Sequence, residues 1–394
     1  MDYDIAIIGG GASGLAAAVS AHRSGAKNIA VFERLDRVGK KLLATGNGRC
    51  NIMHAAAQPT DYYGDAEFIR PALEMFEPMH EAFFRSLGIE LRKEDSGCIY
   101  PKSNQAAAVL DCLRLTLEES GIPELTGKNV TALSPINGGF AVTADRKYTA
   151  RRVIFAVGGL AAPTLGGSNS FISLLKPLGH MATDCRPGLT GFKLKQKTAF
   201  LKGQRVKCRA LLLPGGASET GEVIFGDDGI SGITIMQLSL KYKKGDRLLL
   251  VLREGDCRTL LKERIELFPK RTLENLLTGL LPKRVAIQLI KSTGIDALGK
   301  AASELTSNEI IAISNALGGW SFDIIGTGDY AAAQVMQGGL LTRQFNRASL
   351  ESRLVKGLYA CGEALDVTGP CGGYNLEWAW ASGVLAGRRA AESL

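Results

Sequence analysis

Three stretches predict an α/β fold in which buried strands feed glycine turns and helices. The first is the opening "DYDIAIIGGGASGLAAAVSAHRSGA". The second is "RRVIFAVGGLAAPTLGGS" at 151–168, and the third is "GLYACGEALDVTGPCGGYNLEWAWASGVLAGRRAA" at 357–391. Each runs a short apolar strand into a glycine turn, and the first and third continue into a helix. That order is typical of a Rossmann-like dinucleotide fold.

In the opening stretch, residues 4–8 read as a strand, and Gly9, Gly11 and Gly14 follow as G-x-G-x-x-G. An Ala-rich helix starts at Ala12 and Ser13 and ends near Gly25. The next strand, "NIAVFE", ends at Glu33, 19 residues after Gly14. Strand, helix and acid at these distances make the motif specific. Gly9 permits the tight turn, Gly11 lets a pyrophosphate approach the backbone, and Gly14 lets helix and strand pack closely. Amides at the helix N-terminus hold phosphate. Glu33, with Arg34 beside it, is placed to accept hydrogen bonds from an adenosine ribose and to repel a 2′-phosphate.

This motif does not separate NAD from FAD. "DRVGKKLLATGNGRCN" begins three residues after Glu33 and has the form R-x-G-K-K-x-x-x-(S/T)-G. It resembles the second glycine signature of FAD proteins. Lys40 and Lys41 suit the pyrophosphate. Thr45, Asn47, Gly48, Arg49 and Cys50 suit the stretch between pyrophosphate and isoalloxazine.

The third stretch supplies a strand ending at Gly362-Glu363, whose acid suits the ribityl hydroxyls. A helix starting near Gly372, Gly373, Asn375 and Leu376 would aim its amides at the flavin N1 and C2=O edge, favouring the anion of the reduced ring. Gly383 and Gly387, four apart, leave a smooth stripe for close helix packing. Trp378 and Trp380 point to different faces of that helix. In the middle stretch, Gly158-Gly159 is expected beside the adenosine half. "NVTAL" (129–133) is expected to be a strand whose backbone near Val130 meets the adenine.

The 394 residues call for two or three domains. Eight Cys without a C-x-x-C pair, and four His without ligand spacing, predict neither a metal site nor a disulfide framework. No apolar run reaches the roughly 18 residues of a membrane span. Asp2 and Asp4 stand where a signal peptide would be basic, so a cytoplasmic address is expected. Net charge is +8, and residues 193–209 hold seven basic residues and no acid. Arg205, Lys207 and Arg209 alternate with Val206, Cys208 and Ala210, which reads as a solvated strand face more readily than as a nucleic-acid surface. Strand-like patterns fill about 190–252. Helical ones fill about 257–317, with a Thr306-x-x-Glu309 capping box and a Gly318-Gly319 stop.

These blocks, with "IYPKS" (99–103), "GEVIFGDDGISG" (221–232), "LLPKR" (280–284) and "AQVMQGG" (333–339), resemble a bacterial family of FAD-dependent oxidoreductases with an inserted domain. The family takes in aminoacetone oxidase-like and bile-acid 3-oxo-Δ4,6 reductase-like flavoproteins. The resemblance implies a Rossmann-like FAD-binding domain in two sequence segments, 1–186 and 336–394. Between them it implies an inserted β-barrel plus helical domain at 187–335, with the barrel at about 187–255 and the helical part at about 256–320. It further implies hydride transfer between flavin N5 and a small or medium organic substrate, either enone reduction or amine or aminoketone oxidation. An RNA-modifying or RNA-associated flavoprotein is the other class.

Three positions depart from the family pattern. Residues 226–233 read "GDDGISGI" where T-H-x-G-x-S-G-P is usual, Met336 replaces a Thr, and Cys98 replaces an Arg. There is no second strand–G-x-G-x-x-G–helix–acid unit. NADH or NADPH is therefore expected only at a transient site, with O₂ or another carrier as the alternative. His54 and Tyr100 are the acid/base candidates, since each follows a block expected beside the flavin; His54 is weighed against an ordinary loop residue and Tyr100 against a packing aromatic. The oligomeric state is left open.

Overall fold

The apolar run Tyr3–Ile8 forms a strand between Ile29–Phe32 and Lys147–Phe155, parallel to both, in the computed structural model of residues 1–394. Glu124–Leu125 extends the sheet beyond Ile29–Phe32. Lys147–Phe155 pairs twice on its other side. Its first half runs antiparallel to Gly139–Thr143, and its last three residues run parallel to Leu358–Ala360. Ala132–Ile136 completes the sheet. Ile5, Ile7, Val31, Val153 and Ile154 are fully buried, as expected of uninterrupted apolar strands covered on both faces.

The helix Ala12–Arg23 is buried continuously from Ser13 to Ala21. The C-terminal helix Tyr374–Glu392 lies on it. A side chain at Gly383 would stand 2.3 Å from the Ser13 carbonyl oxygen, and one at Gly387 would stand 2.2 Å from that of Ala17. The glycine stripe is thus the contact surface. Trp378 and Trp380 are both buried, and their indole N–H groups donate to Gly362 O (3.1 Å) and Ile52 O (3.0 Å). Buried indoles need such partners.

Four parallel strands end on one edge of the sheet. Gly9 follows Tyr3–Ile8, Glu33 follows Ile29–Phe32, Gly158 lies just beyond Lys147–Phe155, and Gly362 lies just beyond Leu358–Ala360. Open α/β sheets take their ligands at this carboxyl edge. The strand expected over 129–133 begins only at Ala132. The preceding amides of Gly127 and Lys128 pair instead with Leu35 O (2.7 Å) and Glu33 O (2.9 Å), leaving Val130 two residues from the Lys128–Glu33 bond. Met53–His54, Cys98–Pro101 and Leu91–Lys93 form a separate three-stranded sheet.

Contacts divide the chain into two units, Met1–Pro187 with Gln334–Leu394, and Gly188–Ala333. The second unit is a closed six-stranded barrel with helices. Around the barrel run Phe192–Leu194, Gly229–Ser231, Ser218–Phe225, Arg205–Leu213, Arg247–Val251 and Trp320–Thr327. Val206, Cys208 and Ala210 are buried, whereas Arg205 and Lys207 are exposed. Arg205 pairs with Glu222 (3.1 Å) and Arg209 with Glu254 (2.7 Å). The family resemblance implies a barrel within about 187–255, but its closing strand, Trp320–Thr327, lies beyond the helices. That strand pairs with both Phe192–Leu194 and Arg247–Val251, and pairing at such separation leaves no local signal. The Thr306–Glu309 box forms at the start of Ser307–Gly318, with Thr306 N–H donating to Glu309 Oε2 at 2.8 Å, and Gly319 caps the end. No helix is long and apolar enough to cross a membrane.

Candidate functional site

The first turn needs glycine at two positions and leaves a third open. A side chain at Gly9 (φ +108°) would stand 2.3 Å from Ala156 O, and one at Gly14 would stand 1.9 Å from Gly9 O. Gly11 has φ −81°, and a side chain there would meet nothing within 4 Å. It faces the open side from which a phosphate can reach the backbone. The helix begun by Ala12 and Ser13 has no side-chain cap, so its first amides are available to an anion. Glu33 Oε2 accepts the Gly10 N–H (2.9 Å) and Oε1 accepts the Leu35 N–H (2.8 Å). The carboxylate is pinned at the turn with lone pairs left for hydroxyl donors. Arg34 reaches Gly167 O at 3.2 Å.

The second motif meets the end of the chain. Lys40 pairs with Asp36, four residues back, whereas Lys41 Nζ lies 2.6 Å from Glu363 Oε2. The other Glu363 oxygen accepts the Met336 N–H at 2.8 Å. A side chain at Gly158 would stand 3.7 Å from Glu363 Oε2. One carboxylate therefore joins the second motif, the middle turn and the C-terminal strand. A side chain at Gly362 would stand 2.5 Å from Ser13 Oγ, so the return strand is packed on the start of the first helix. Met336, at the position where the family pattern has Thr, lies on Gly159, where an added side chain would stand 2.8 Å from its Cε.

Within "GNGRC", Gly46, Asn47, Gly48 and Cys50 all take positive φ, from +54° to +82°. For Asn47 and Cys50 this conformation persists only when the surroundings hold it, a pattern that concentrates at functional sites. The Thr45 hydroxyl donates to Leu42 O at 2.6 Å. Burial pushes the Cys50 thiol up to about 12, which removes the thiolate at neutral pH. Arg49 lies with its guanidinium carbon 4.7 Å from the centre of the Tyr100 ring, and its Nη2 donates to the Tyr100 hydroxyl at 3.4 Å. A cofactor candidate and an acid/base candidate are thus brought together. Burial raises the Tyr100 phenol. The other acid/base candidate is tied down. His54 Nδ1 accepts the Ala56 N–H (3.3 Å), and Nε2 lies 3.3 Å from Ser96 O, so neither ring nitrogen is left for a substrate.

The C-terminal helix also starts without a side-chain cap, after Gly372 (φ +117°) and Gly373 (φ +105°). Asn375 uses its side chain on the preceding turn, with Nδ2 donating to Gly369 O and Oδ1 accepting the Gly369 N–H, both at 2.8 Å. Leu376 is half-buried in the same first turn. Two residues absent from the sequence-derived set belong here. Asn51 Oδ1 is buried without a hydrogen-bond partner, and a side chain at Gly373 would stand 2.9 Å from it. Its signal is its place at the end of the "GNGRCN" block. Glu377 is buried, and burial pushes its carboxyl up to about 7. No sequence signal marks it, because an acid in the first turn of a helix is ordinary.

The residues fit FAD. From the sequence, Val130 is expected at the adenine, Glu33 at the ribose, Gly9–Gly14 and Lys41 at the pyrophosphate, Glu363 at the ribityl chain and Gly372–Asn375 at the ring, in that order. The open face at Gly11 and the orphaned Asn51 oxygen, which a ring N–H would satisfy, agree with that order.

Comparison with known proteins points the same way. The chain matches the HI0933-like protein Rossmann domain over residues 3–389. It is 39% identical to the 3-dehydro-bile acid delta(4,6)-reductase of Clostridium scindens, across 98% of this chain and 99% of that protein. It is 27% identical to the ribosomal RNA dihydrouridine synthase of Escherichia coli, across 96% of each. Its fold is shared with the 3-ketosteroid delta1-dehydrogenase from Sterolibacterium denitrificans, at a TM-score of 0.55 and 13% identity over the whole of both chains.

Proposed function

The chain belongs to the HI0933-like Rossmann-domain family, and on that basis we propose that it is an FAD-dependent reductase of conjugated 3-oxo steroid acids. The reductase 39% identical along nearly its whole length supports the substrate class. The observation that carries the reading is the Glu363 carboxylate, which draws three separate glycine segments to one point.

Bound FAD supplies hydride transfer at its N5. The chain holds and shields it. Gly11 and the first-helix amides take the pyrophosphate, Glu33 takes the ribose, and Val130, Gly158 and Gly159 flank the adenosine half. Glu363, paired with Lys41, takes the ribityl chain. The amides at Gly372–Asn375 and the Asn51 oxygen take the ring edge. Tyr100 keeps its proton at neutral pH and donates a hydrogen bond to the 3-oxo oxygen of the substrate. The Arg49 guanidinium beside it supports negative charge on that oxygen. NADH or NADPH is the transient reductant.

Anaerobic stopped-flow tests this. The flavin is reduced with NADH or NADPH and then offered a 3-oxo-Δ4,6 steroid acid, an amino ketone or O₂. Fast reoxidation by the enone is expected. Fast reoxidation by O₂ or the amino ketone alone would make the protein an oxidase, and a colourless protein that takes up no FAD would end the reading. Ribosomal RNA is the second substrate class, favoured by the 27% relative and by exposed Lys193, Lys195 and Lys197. Against it, Arg205 and Arg209 of the same basic stretch are already paired with acids. Dihydrouridine formed in ribosomal RNA by the reduced protein would reverse that order.

A further inference from the structure

Glu377 lies in the first turn of the C-terminal helix, 7% exposed, and its carboxylate accepts one hydrogen bond, from the His54 backbone N–H at 3.2 Å. No cation pairs with it. The groups facing it are Asp61 and Tyr62, Glu77, His54, and Tyr374 from its own helix. Two of these are carboxyl groups and two are phenols. A carboxylate with such neighbours and no counter-ion is held at a cost.

Its surroundings are also the supports of the ring-holding amides. The His54 ring stacks on Tyr374 with centroids 4.7 Å apart, and the Tyr62 hydroxyl donates to Tyr374 O at 3.0 Å. The Glu377 N–H donates to Gly373 O at 2.9 Å. The Met53 carbonyl closes on Gly373, where a side chain would stand 2.6 Å from it. One side chain therefore fixes the Met53–His54 strand against the helix start.

Resting on the flavin reading of the site, we propose that Glu377 is its proton-responsive positioning residue. Its carboxyl locks the His54 strand to the helix start. Its charge, present or absent, sets how strongly the helix-start amides favour negative charge in front of them. A negative group one turn into a helix opposes the positive end of the helix dipole, whereas a neutral one does not. Burial places the change near neutral pH.

The test is the midpoint potential of the FAD-loaded protein from about pH 5.5 to about pH 8.5, either side of a carboxyl raised to neutrality. Wild type, Glu377→Gln and Glu377→Asp are compared, with visible absorbance reporting FAD uptake. Gln keeps an acceptor for the His54 N–H but carries no charge. Wild type and Glu377→Gln should agree at the acid end. At the alkaline end Glu377→Gln should be more positive, by a roughly tenfold change in the preference for reduced over oxidised flavin, about 30 mV for a two-electron couple. Glu377→Asp should follow wild type. Coincident curves for wild type and Glu377→Gln overturn the proposal. So does a Glu377→Asp curve that matches Gln, because that marks packing rather than charge. If Glu377→Gln does not fold, Glu377→Met is the uncharged comparison. A colourless wild type overturns the flavin reading itself, and this proposal with it.

Discussion

Lys41 Nζ and Glu363 Oε2 meet at 2.6 Å across 322 residues of chain. With the side chains 32% and 20% exposed, the pair is partly shielded from water. Glu363→Gln keeps the shape and removes the charge from a hydrogen bond of the charged class. Losing about 1.5 kcal/mol should weaken FAD binding roughly tenfold. A fluorescence titration of the apoprotein measures it, and an unchanged affinity would remove Glu363 from the cofactor contacts.

Gly11 and Gly14 should part company. A side chain at Gly14 would stand 1.9 Å from Gly9 O, so Gly14→Ala should lower apoprotein stability by about 1–3 kcal/mol or more through overpacking. Gly11 has ordinary φ and open space, so Gly11→Ala should leave the apoprotein Tm unchanged yet weaken FAD binding. Thermal denaturation with and without FAD separates the two. An equal Tm loss in both apoproteins would contradict the geometry.

The two ends of the chain are legible in the sequence because their geometry is local. In G-x-G-x-x-G a few residues set strand, turn and helix together, and the acid at Glu33 follows by spacing. The partners are less legible. Lys40 is expected on a pyrophosphate but pairs with Asp36, and the Thr45 hydroxyl is taken by Leu42 O. Both are short-range bonds that a motif does not encode. The barrel's closing strand escapes because it comes after the helices that interrupt the barrel. Glu377 and Asn51 escape for a stronger reason. Their burial depends on packing between segments about residues 51–62 and a helix beginning at Tyr374, and the His54–Glu377 bond alone spans 323 residues. Nothing in either segment announces the other.

Arg49 and Tyr100 touch, yet their substitutions should read out differently. Arg49→Ala removes the guanidinium beside the ring and should weaken FAD retention, seen as lost absorbance after gel filtration. Tyr100→Phe removes only the hydroxyl and should leave FAD bound. If the hydroxyl acts on the substrate, kcat should fall by roughly a hundredfold, within the usual range for a positioned proton donor. A full kcat in Tyr100→Phe would return Tyr100 to a packing role.

Glu377 also makes a stability prediction whose sign is fixed. Its folded-state carboxyl is raised from the ordinary glutamate value of 4.5 to about 7, chiefly by burial and further by the acidic neighbours Glu77 and Asp61, with only the His54 N–H holding it down. Between these values the folded chain holds a proton that the unfolded chain has released, so stability falls as pH rises through the window. Below about pH 4.5 both states are protonated and the group is neutral in effect. Above about pH 7 the full penalty stands, about 3 kcal/mol for a shift of this size. Glu377→Gln removes the titration while keeping the acceptor for the His54 N–H. It should therefore be more stable than wild type at about pH 8, and the gap should close as pH falls towards about 5. Urea denaturation at the two pH values measures the gap. A variant less stable than wild type at the alkaline pH would show that the Glu377 carboxylate stabilises the fold, contrary to its isolated setting.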